Sequence, residues 1–284
     1  MIKIIASGFY SSIQNKGRVG FRSYGVPVSG ALDLYSSQFA NLVLGNNSNA
    51  SVIEMTMTGA VLEFLKPTTI CVSGADMNPQ LNNNAIPLHI PITVTKNDIL
   101  SFGKLKFGFR TYLAVKGGFC SEVVLGSPSM YNGITQNDKL NAGDLLKLNT
   151  VSTLNSCRKH AHVKYNNVVL KSGVLKVFKG MEFNKLSKQQ QGALFNNDYK
   201  VSKLNNRMAY QILPVLKNNL APIITSPVLP GTVQLTPSGQ LIILMRDCQT
   251  TGGYPRVLQL TSDAINILSQ KFTNNSLKFC LVST

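Results

Sequence analysis

The chain has 284 residues, 44% of them hydrophobic, and a formal net charge of +16 at neutral pH. A domain usually contains about 100–200 residues, so this length predicts two compact lobes, each able to bury a core. The charge by itself would allow nucleic-acid binding, but the lysines are dispersed and no run of five or more basic residues occurs. A basic face that meets an acidic partner protein would account for the charge as well, and we expect no nucleic-acid partner.

The cysteines and apolar runs indicate the compartment. The five cysteines are scattered and include no Cys-x-x-Cys pair, which is typical of a reducing cytoplasm. The strongest internal apolar run, Leu241 to Met245, is far shorter than the ~20 residues of a membrane-spanning helix. We therefore expect a cytoplasmic protein with no membrane partner. Cys157, His160 and His162 lie close in sequence, but zinc would need a further ligand, so we expect no metal site.

The first predicted element is a helix from about Ala31 to Leu44, because its apolar residues recur at helical spacing. Gly30 is its expected N-cap, and Gly45 is expected to close its C-terminus. The sequence then turns to short segments rich in β-branched and large apolar residues, which predict strands. In the N-terminal half these segments are Ala60 to Phe64, Thr69 to Ser73, Ile92 to Thr95, Ile99 to Phe102, Tyr112 to Val115 and Leu145 to Leu148.

The polar stretch Thr150 to Asn167 has no periodicity and is the expected boundary between an N-terminal lobe, 1–155, and a C-terminal lobe, 156–284. The second lobe is predicted to contain fewer helices than strands. A helix is expected from Ser187, with Gln190 in the capping-box position. Two strands, Thr232 to Leu235 and Leu241 to Met245, are expected on either side of the turn Pro237-Ser238-Gly239. A second helix is expected from about Thr261–Asp263, with Ile265, Leu268 and Phe272 as its apolar stripe. Many short strands with a few short helices predict a mainly β protein.

The segment Asp247 to Pro255 is the densest in groups that could carry chemistry. It follows a strong predicted strand and reads Asp-Cys-Gln-Thr-Thr-Gly-Gly-Tyr-Pro. Adjacent glycines allow a backbone to approach a ligand closely or to present successive N–H groups to an anion. A β-turn with glycine at positive φ explains the Gly-Gly pair as well, so the pattern leaves both interpretations open.

A second segment, Gly25 to Asp33, leads straight into the first predicted helix. A Ser-Gly turn at a helix N-terminus suits an anion or a carboxylate, whereas an ordinary helix cap is the alternative that the spacing favours. The chain contains no phosphate-loop, dinucleotide-binding or nucleophile-elbow motif. No histidine stands beside either glycine-containing turn, so the sequence does not favour Ser-His nucleophilic catalysis.

These segments resemble the biotin-dependent carboxyltransferase (allophanate hydrolase subunit 2) family. The resemblance extends over nearly the whole chain in the right order, and Gln249 to Pro255 is its most specific part. The other matching motifs are Ser12-Ile13-Gln14, Gly17-Arg18, Gly25-Val26-Pro27, Ser29-Gly30-Ala31, Asp33, Ala40-Asn41, Gly45-Asn46, Tyr112 to Val115, Gly117-Gly118, Val124 to Ser127, Asn206-Arg207-Met208 and Pro230-Gly231 with Gln234. The resemblance implies two cyclophilin-like β-barrel lobes.

The resemblance also implies an activity. Some members work within an ATP-dependent amidohydrolase of the 5-oxoprolinase type, which opens the lactam of 5-oxoproline to glutamate. The partners would be the B subunit of 5-oxoprolinase, which is kinase-inhibitor-like, and its A subunit. ATP with magnesium would act through the complex, with no tightly bound cofactor in this chain. The alternatives are a carboxyltransferase component acting on urea or allophanate-like amides, and a non-catalytic regulatory partner that antagonises a kinase inhibitor.

Site residues follow from the same resemblance, motif by motif. The implied catalytic residues are Asp33, Arg207 and Gln249, and the implied substrate-binding residues are Ser29, Gly30, Asn41, Thr250, Thr251, Gly252, Gly253 and Tyr254. Arg207 would suit a carboxylate or phosphate, with a structural ion pair as the alternative. The chain departs from the family pattern at Asn15 (commonly Asp), Glu182 (commonly Gln), Ala209 (commonly Gly), Pro227 (commonly Glu) and Leu213-Pro214-Val215 (commonly Glu-Gly-Pro).

Overall fold

The structure, a computed structural model, describes residues 1–149 and 164–282 and divides into two compact units. Unit 1 comprises Met1–Gly17 and Asp33–Leu170, and unit 2 comprises Arg18–Leu32 and Lys171–Thr284. Most of the expected boundary stretch, and Cys157, His160 and His162 with it, lie outside the described residues. The division at residue 155 therefore stays a prediction.

Unit 1 is built from two sheets around one apolar core. Its strands are β1 (Ile2–Ala6), β2 (Tyr10–Gln14), β3 (Val52–Thr56), β4 (Val61–Phe64), β5 (Thr68–Asp76), β6 (Pro79–Leu81), β7 (Asn84–Ala85), β8 (Ile92–Val94), β9 (Ile99–Phe102), β10 (Phe107–Val115), β11 (Phe119–Cys120) and β12 (Leu145–Leu148). One sheet has the order β11-β12-β1-β4-β9-β6-β7, and the other has the order β2-β3-β10-β5-β8. Ile4 and Leu62 of the first sheet and Ile53 and Leu113 of the second share the core.

Helix α1 spans Leu34–Val43, so the prediction that it begins at Ala31 with Gly30 as N-cap is wrong. Gly30 has a φ of 87°, which no helical residue adopts. The N-cap is instead Asp33, whose Oδ1 accepts the backbone N–H of Ser36 at 3.0 Å. An aspartate satisfies a free N–H of the first turn and places negative charge at the positive end of the helix dipole, which explains why the helix begins there.

Unit 2 contains a closed barrel and a separate ribbon. Its strands are β13 (Val174–Lys179), β14 (Tyr199–Asn205), β15 (Ala209–Leu213), β16 (Ser226–Pro227), β17 (Thr232–Leu235), β18 (Leu241–Leu244), β19 (Thr251–Gly252), β20 (Arg256–Leu260) and β21 (Ser276–Leu281). The barrel order is β13-β20-β17-β18-β15-β14-β21, and the parallel pairing of β21 with β13 closes it. Strands β16 and β19 pair only with each other in the described part of the chain and form a two-stranded ribbon.

The barrel interior follows from the alternation of side chains along each strand. Val233 and Leu235 of β17 are fully buried in the core of unit 2, as are Tyr210 and Ile212 of β15. Gln234, which stands between Val233 and Leu235, must therefore point to the outer face of the barrel. This outer face is where the candidate site is found.

The remaining helices are α2 (Val168–Lys171), α3 (Lys188–Asn196) and α4 (Ser262–Ser269). The predicted capping box of Ser187 and Gln190 at the start of α3 is confirmed. Helix α4 begins after the N-cap Thr261, as predicted, but Phe272 lies beyond its end and is not part of its apolar stripe. The mainly β prediction is confirmed, with the closed barrel in unit 2. Within residues 1–149 and 164–282, no helix has the length and apolar character to cross a bilayer.

We predict that Asp33→Ala lowers the free energy of unfolding by about 1–2 kcal/mol, because it removes the cap of α1. Asp33→Asn should cost less, since asparagine caps helices comparably. Urea denaturation of the purified chain measures both, with Asp198→Ala, at an exposed aspartate, as the control. Equal stability of wild type and Asp33→Ala would show that α1 does not depend on this cap.

Candidate functional site

A cavity of about 550 Å³ lies on the outer face of the barrel in unit 2. Its size is within the range of small-molecule sites, about 300–1,000 Å³. Ala209, Ile242 and Leu244 give it an apolar wall, and polar side chains surround them. The remaining lining residues are Lys203, Leu204, Asn205, Asn206, Met208, Gln211, Gln234, Gln249, Gly252, Gly253 and Tyr254.

Two amide groups in this cavity have unused hydrogen-bonding atoms. Gln234 is 2% exposed, and its Nε2 has no hydrogen-bond partner within the described residues. The buried Oε1 of Gln249 has none either. Leaving a buried polar atom without a partner costs about 1–3 kcal/mol, so such atoms in a native structure call for an explanation. One atom is a donor and the other is an acceptor, and both residues line the same cavity.

The ribbon of β16 and β19 covers Gln234. Gly252 pairs with Ser226 across the ribbon, and the N–H of Val228 donates to the carbonyl of Thr250 at 3.0 Å. A Cβ at position 252 would lie 2.5 Å from Gln234 Nε2. A side chain at position 252 would therefore have to displace the amide of Gln234. This close approach is to a side chain of the protein itself, so the ligand-binding interpretation of the Gly-Gly pair stays a prediction.

Arg22 holds the ribbon from its other side. Its Nη2 donates to the carbonyl of Val228 and, at 3.4 Å, to that of Thr250, so one guanidinium joins the residue that follows β16 to the residue that precedes β19. Burial raises the pKa of the neighbouring Cys248 thiol to about 11, although Arg22 opposes this shift. Cys248 is therefore a protonated thiol at neutral pH and does not suit the role of a nucleophile.

Arg207 is bonded inside the protein rather than open to a ligand. Its Nε donates to Asp247 Oδ2 at 2.8 Å, and its Nη2 donates to Asp247 Oδ1 at 3.1 Å and to the carbonyl of Gly30 at 2.7 Å. Both side chains of this ion pair are about nine-tenths buried. This geometry favours the structural ion pair over direct recognition of a substrate carboxylate.

The turn at Ser29 and Gly30 is anchored to the loops that bear this ion pair. The N–H of Ser29 donates to the carbonyl of Arg246 at 2.9 Å, and Gly30 accepts from Arg207. Ser29 has a φ of 55° and is fully buried, and its Oγ lacks a hydrogen-bond partner within the described residues. Non-glycine residues with positive φ cluster at functional sites, which keeps Ser29 a candidate.

Asp33 and Asn41 belong to unit 1, where structural bonds engage both side chains. Beyond its cap contacts, Asp33 donates its N–H to Tyr112 Oη at 2.8 Å, and Tyr112 donates to Glu54 at 2.9 Å. Asn41 donates to the carbonyl of Ala50 at 2.8 Å and closes the loop after α1. Their assignment to catalysis and to substrate binding therefore stays a prediction, and their structural roles explain their presence without it.

The structure thus brings only part of the predicted site together. Gln249, Gly252, Gly253 and Tyr254 line the cavity, whereas Thr250 and Thr251 are not among its lining residues. Gln234 was not predicted as a site residue, although it ends the Pro230-Gly231-x-x-Gln234 motif. Asp247 was also not predicted as one, although it opens the densest polar segment. Gln234 is therefore the residue that sequence reasoning could have found.

Two of the departures from the family pattern meet at one guanidinium. Arg256 donates to Glu182 through Nε at 3.0 Å and Nη2 at 2.9 Å, and through Nη1 to the carbonyl of Pro227 at 3.0 Å. The carboxylate that the family commonly has at position 227 is absent here, and a carboxylate at position 182 pairs with this arginine. In this chain Arg256 thus joins the barrel to the ribbon through both of these positions.

The other departures in the described region are also accommodated. Asn15 Oδ1 accepts from Ser127 Oγ at 2.7 Å and from Ser129 Oγ at 2.9 Å, as an aspartate could. The methyl group of Ala209 packs against the small apolar cluster of Val228, Leu244 and Cys248. Neither change leaves an orphaned polar atom at its own position.

The side chains around the Gly-Gly segment do not suit a magnesium ion. Magnesium prefers free carboxylate oxygens, whereas Asp247 and Glu182 both accept guanidinium hydrogen bonds. No group of three or more histidine, cysteine, aspartate or glutamate residues suited to a metal occurs in the part of the chain that the structure describes. The cavity instead offers hydrogen-bonding side chains, mostly amides, beside an apolar wall.

We predict that Arg207→Ala lowers the free energy of unfolding by on the order of 3 kcal/mol, because Asp247 would stay buried without its cation. The stability of Arg207→Lys should lie between those of wild type and Arg207→Ala, since an ammonium group cannot bond both carboxylate oxygens as the planar guanidinium does. Thermal and urea unfolding measure the change. The double variant Arg207→Ala/Asp247→Asn should recover part of the loss, and a fully stable Arg207→Ala would contradict the structural role.

A second prediction concerns pH. The hydrogen bonds from Arg256 lower the pKa of the Glu182 carboxyl. This pair therefore adds stability above the pKa of an unfolded glutamate, about 4.3, and the stability is lost as the pH falls through the folded-state value. The melting temperature of wild type should exceed that of Glu182→Gln at pH 7, and the gap should shrink below about pH 4. A gap that is constant with pH, or one equal to that of the exposed control Glu122→Gln, would refute this contribution.

Comparison with known proteins is consistent with the fold and the motifs. Residues 24–281 match the family described as carboxyltransferase domain, subdomain A and B. The chain is 32% identical to the C subunit of 5-oxoprolinase from Escherichia coli over 90% of its length and 83% of that protein. It is 29% identical to the C subunit of 5-oxoprolinase from Haemophilus influenzae over 100% of its length and 92% of that protein. Its fold matches the crystal structure of K. lactis urea amidolyase with a TM-score of 0.88 at 27% identity, covering 99% of this chain but only 19% of that one. This chain therefore belongs to the family of carboxyltransferase domains with subdomains A and B.

Proposed function

We propose that this chain is the C subunit of a 5-oxoprolinase. The observation that carries the proposal is the end-to-end correspondence with two bacterial proteins of that name, which extends over most of their length as well as of this chain. The urea amidolyase contains a region of the same fold as a small part of a much longer chain. We further propose that the working enzyme forms with the B subunit of 5-oxoprolinase, which is kinase-inhibitor-like, and with its A subunit, in the cytoplasm.

The proposed reaction converts 5-oxoproline, ATP and two water molecules to glutamate, ADP and phosphate, with one water opening the lactam and the second balancing the cleavage of ATP. The lactam C–N bond breaks, the oxygen of water joins the carbonyl carbon, and the ring nitrogen gains a proton to become the glutamate amine. A lactam is a poor electrophile because its nitrogen donates electron density to the carbonyl, so coupling to ATP supplies the driving force. ATP with magnesium is a co-substrate of the complex in this proposal, and we assign no step on it to this chain.

The cavity of unit 2 supports this proposal in chemical terms. Most of its polar side chains are amides, which can bond a lactam ring without protonating it, and Gln249, Gly252, Gly253 and Tyr254 line it. A donor fixed beside the lactam oxygen would stabilise the negative charge that develops there when water attacks. A fixed donor is more effective than solvent because it needs no reorientation during the reaction.

A second candidate function is a carboxyltransferase acting on urea or allophanate-like amides. The fold match with urea amidolyase favours it. It differs from the first in its need for a carboxylated biotin carrier in place of ATP-driven hydrolysis. A purely regulatory partner that antagonises a kinase inhibitor differs from both, since it predicts tight binding without turnover.

The decisive experiment co-expresses this chain with its cognate A and B subunits and measures glutamate formed from 5-oxoproline and ATP. We expect formation to depend on this chain and to return when the purified chain is added back. Urea with bicarbonate and a carboxylated biotin carrier forms the second arm. A stable complex whose glutamate formation is unchanged by omission of this chain would sink the proposal, and turnover only in the urea arm would establish the alternative.

A further inference from the structure

Two unused hydrogen-bonding atoms in one cavity define the kind of ligand that it accepts. Gln234 Nε2 is a donor and Gln249 Oε1 is an acceptor, both are buried, and neither has a partner within the described residues. Because each lacks a partner, they do not bond to each other. A ligand that satisfies both must present an acceptor and a donor towards the same cavity.

Both amides are held where the barrel and the ribbon place them. The alternation of β17 directs Gln234 to the outer face, and the backbone of Gly252 covers its amide nitrogen. Gln249 lies in the segment that leads into β19, the ribbon strand that contains Gly252. The contact with Gly252 thus positions the amide of Gln234, and the segment that leads into the same ribbon strand places Gln249 in the wall of the cavity.

The rest of the cavity adds an apolar wall and a positive charge. Ala209, Ile242 and Leu244 supply the apolar surface, and Lys203 is the one charged side chain among the described lining residues. A flat ring with a few methylene groups would pack on this wall, and an anionic substituent would be attracted to Lys203.

We propose that this cavity recognises the cis-amide edge of a small anionic lactam, with Gln234 donating to its carbonyl oxygen and Gln249 accepting its ring N–H. In a five-membered lactam, the ring forces the carbonyl oxygen and the N–H onto the same edge of the molecule. This is the donor–acceptor pair that the two glutamines lack. The inference rests on the proposed function, because it names the group of 5-oxoproline that this chain holds.

Urea presents a similar edge but has no carboxylate and no methylene groups. The presence of Lys203 and the apolar wall therefore favours the lactam over urea. The same features separate the two experimentally. N-methyl-5-oxoproline lacks the donor, 2-pyrrolidinone lacks the carboxylate, and urea lacks both the carboxylate and the ring.

The test measures equilibrium binding of radiolabelled 5-oxoproline to the assembled complex without ATP, together with turnover in its presence. Gln234→Met and Gln249→Met should each raise the dissociation constant or the KM about tenfold or more. N-methyl-5-oxoproline, 2-pyrrolidinone and urea should compete poorly with 5-oxoproline. Gln259→Met is the matched control, because this glutamine on the neighbouring strand β20 bonds to Thr232 at 2.8 Å and to Pro230 at 2.9 Å.

A stability measurement distinguishes recognition from a structural role. Since Gln234 Nε2 has no partner within the described chain, Gln234→Met should leave the melting temperature of the free chain unchanged or raise it. Gln259→Met should lower the melting temperature and leave the KM unchanged. A KM that is unaffected by both cavity variants would overturn the inference while the proposed function stands. Binding of 5-oxoproline that depends on both glutamines, without any glutamate formed, would support the inference and refute the proposed function. A wild-type complex that neither binds nor converts 5-oxoproline would refute both.

Discussion

Gln234 lies on a barrel strand between two residues that fill the interior, so its side chain has to leave through the outer face. There the backbone of Gly252 covers it so closely that a Cβ at position 252 would lie 2.5 Å from its amide nitrogen. The result is a polar group that is 2% exposed although it faces away from the barrel core. The candidate cavity depends on this contact, because the ribbon strand that contains Gly252, and Gly253 directly after it, form part of the cavity wall.

Guanidinium groups join segments of unit 2 that lie far apart in the sequence. Arg22 joins the two segments of the ribbon, Arg207 ties Asp247 to the Gly30 turn, and Arg256 joins Glu182 to Pro227. A planar guanidinium can bond a carboxylate and a carbonyl at once, which a lysine cannot do in the same geometry. Because Arg207 and Arg256 each pair with a carboxylate, the net positive charge comes mainly from the lysines, most of which are exposed in the described part of the chain.

Elements defined by local chemistry could be predicted from the sequence. Ile99–Phe102 and Thr232–Leu235 are strands with the expected bounds, because apolar residues recur and turn residues adjoin them. The capping box at Ser187 was predictable because both of its bonds join residues three positions apart. The start of α1 was not predicted. Ala31 and Leu32 favour a helix, but Leu32 is buried in the core of unit 2, and that packing outweighs local propensity.

The candidate site shows the same division between local and distant effects. The Gly-Gly segment was recognisable because its residue types are unusual together. The burial of Gln234 was not, since it arises from a ribbon strand 17 residues further along the chain. The pairing of Arg207 with Asp247 joins residues 40 positions apart, so only the folded structure separates an internal clamp from a substrate ligand. Motifs therefore located the cavity, and the fold decided which side chains face it.

A structure of the assembled complex with bound 5-oxoproline, in the absence of ATP, tests the central claim most directly. We predict that the lactam binds in the outer-face cavity of unit 2, where its carbonyl oxygen accepts from the amide of Gln234 and its ring N–H donates to Gln249. A lactam bound with full occupancy away from the Gln249–Tyr254 segment, on this chain or on another protein of the complex, would contradict it.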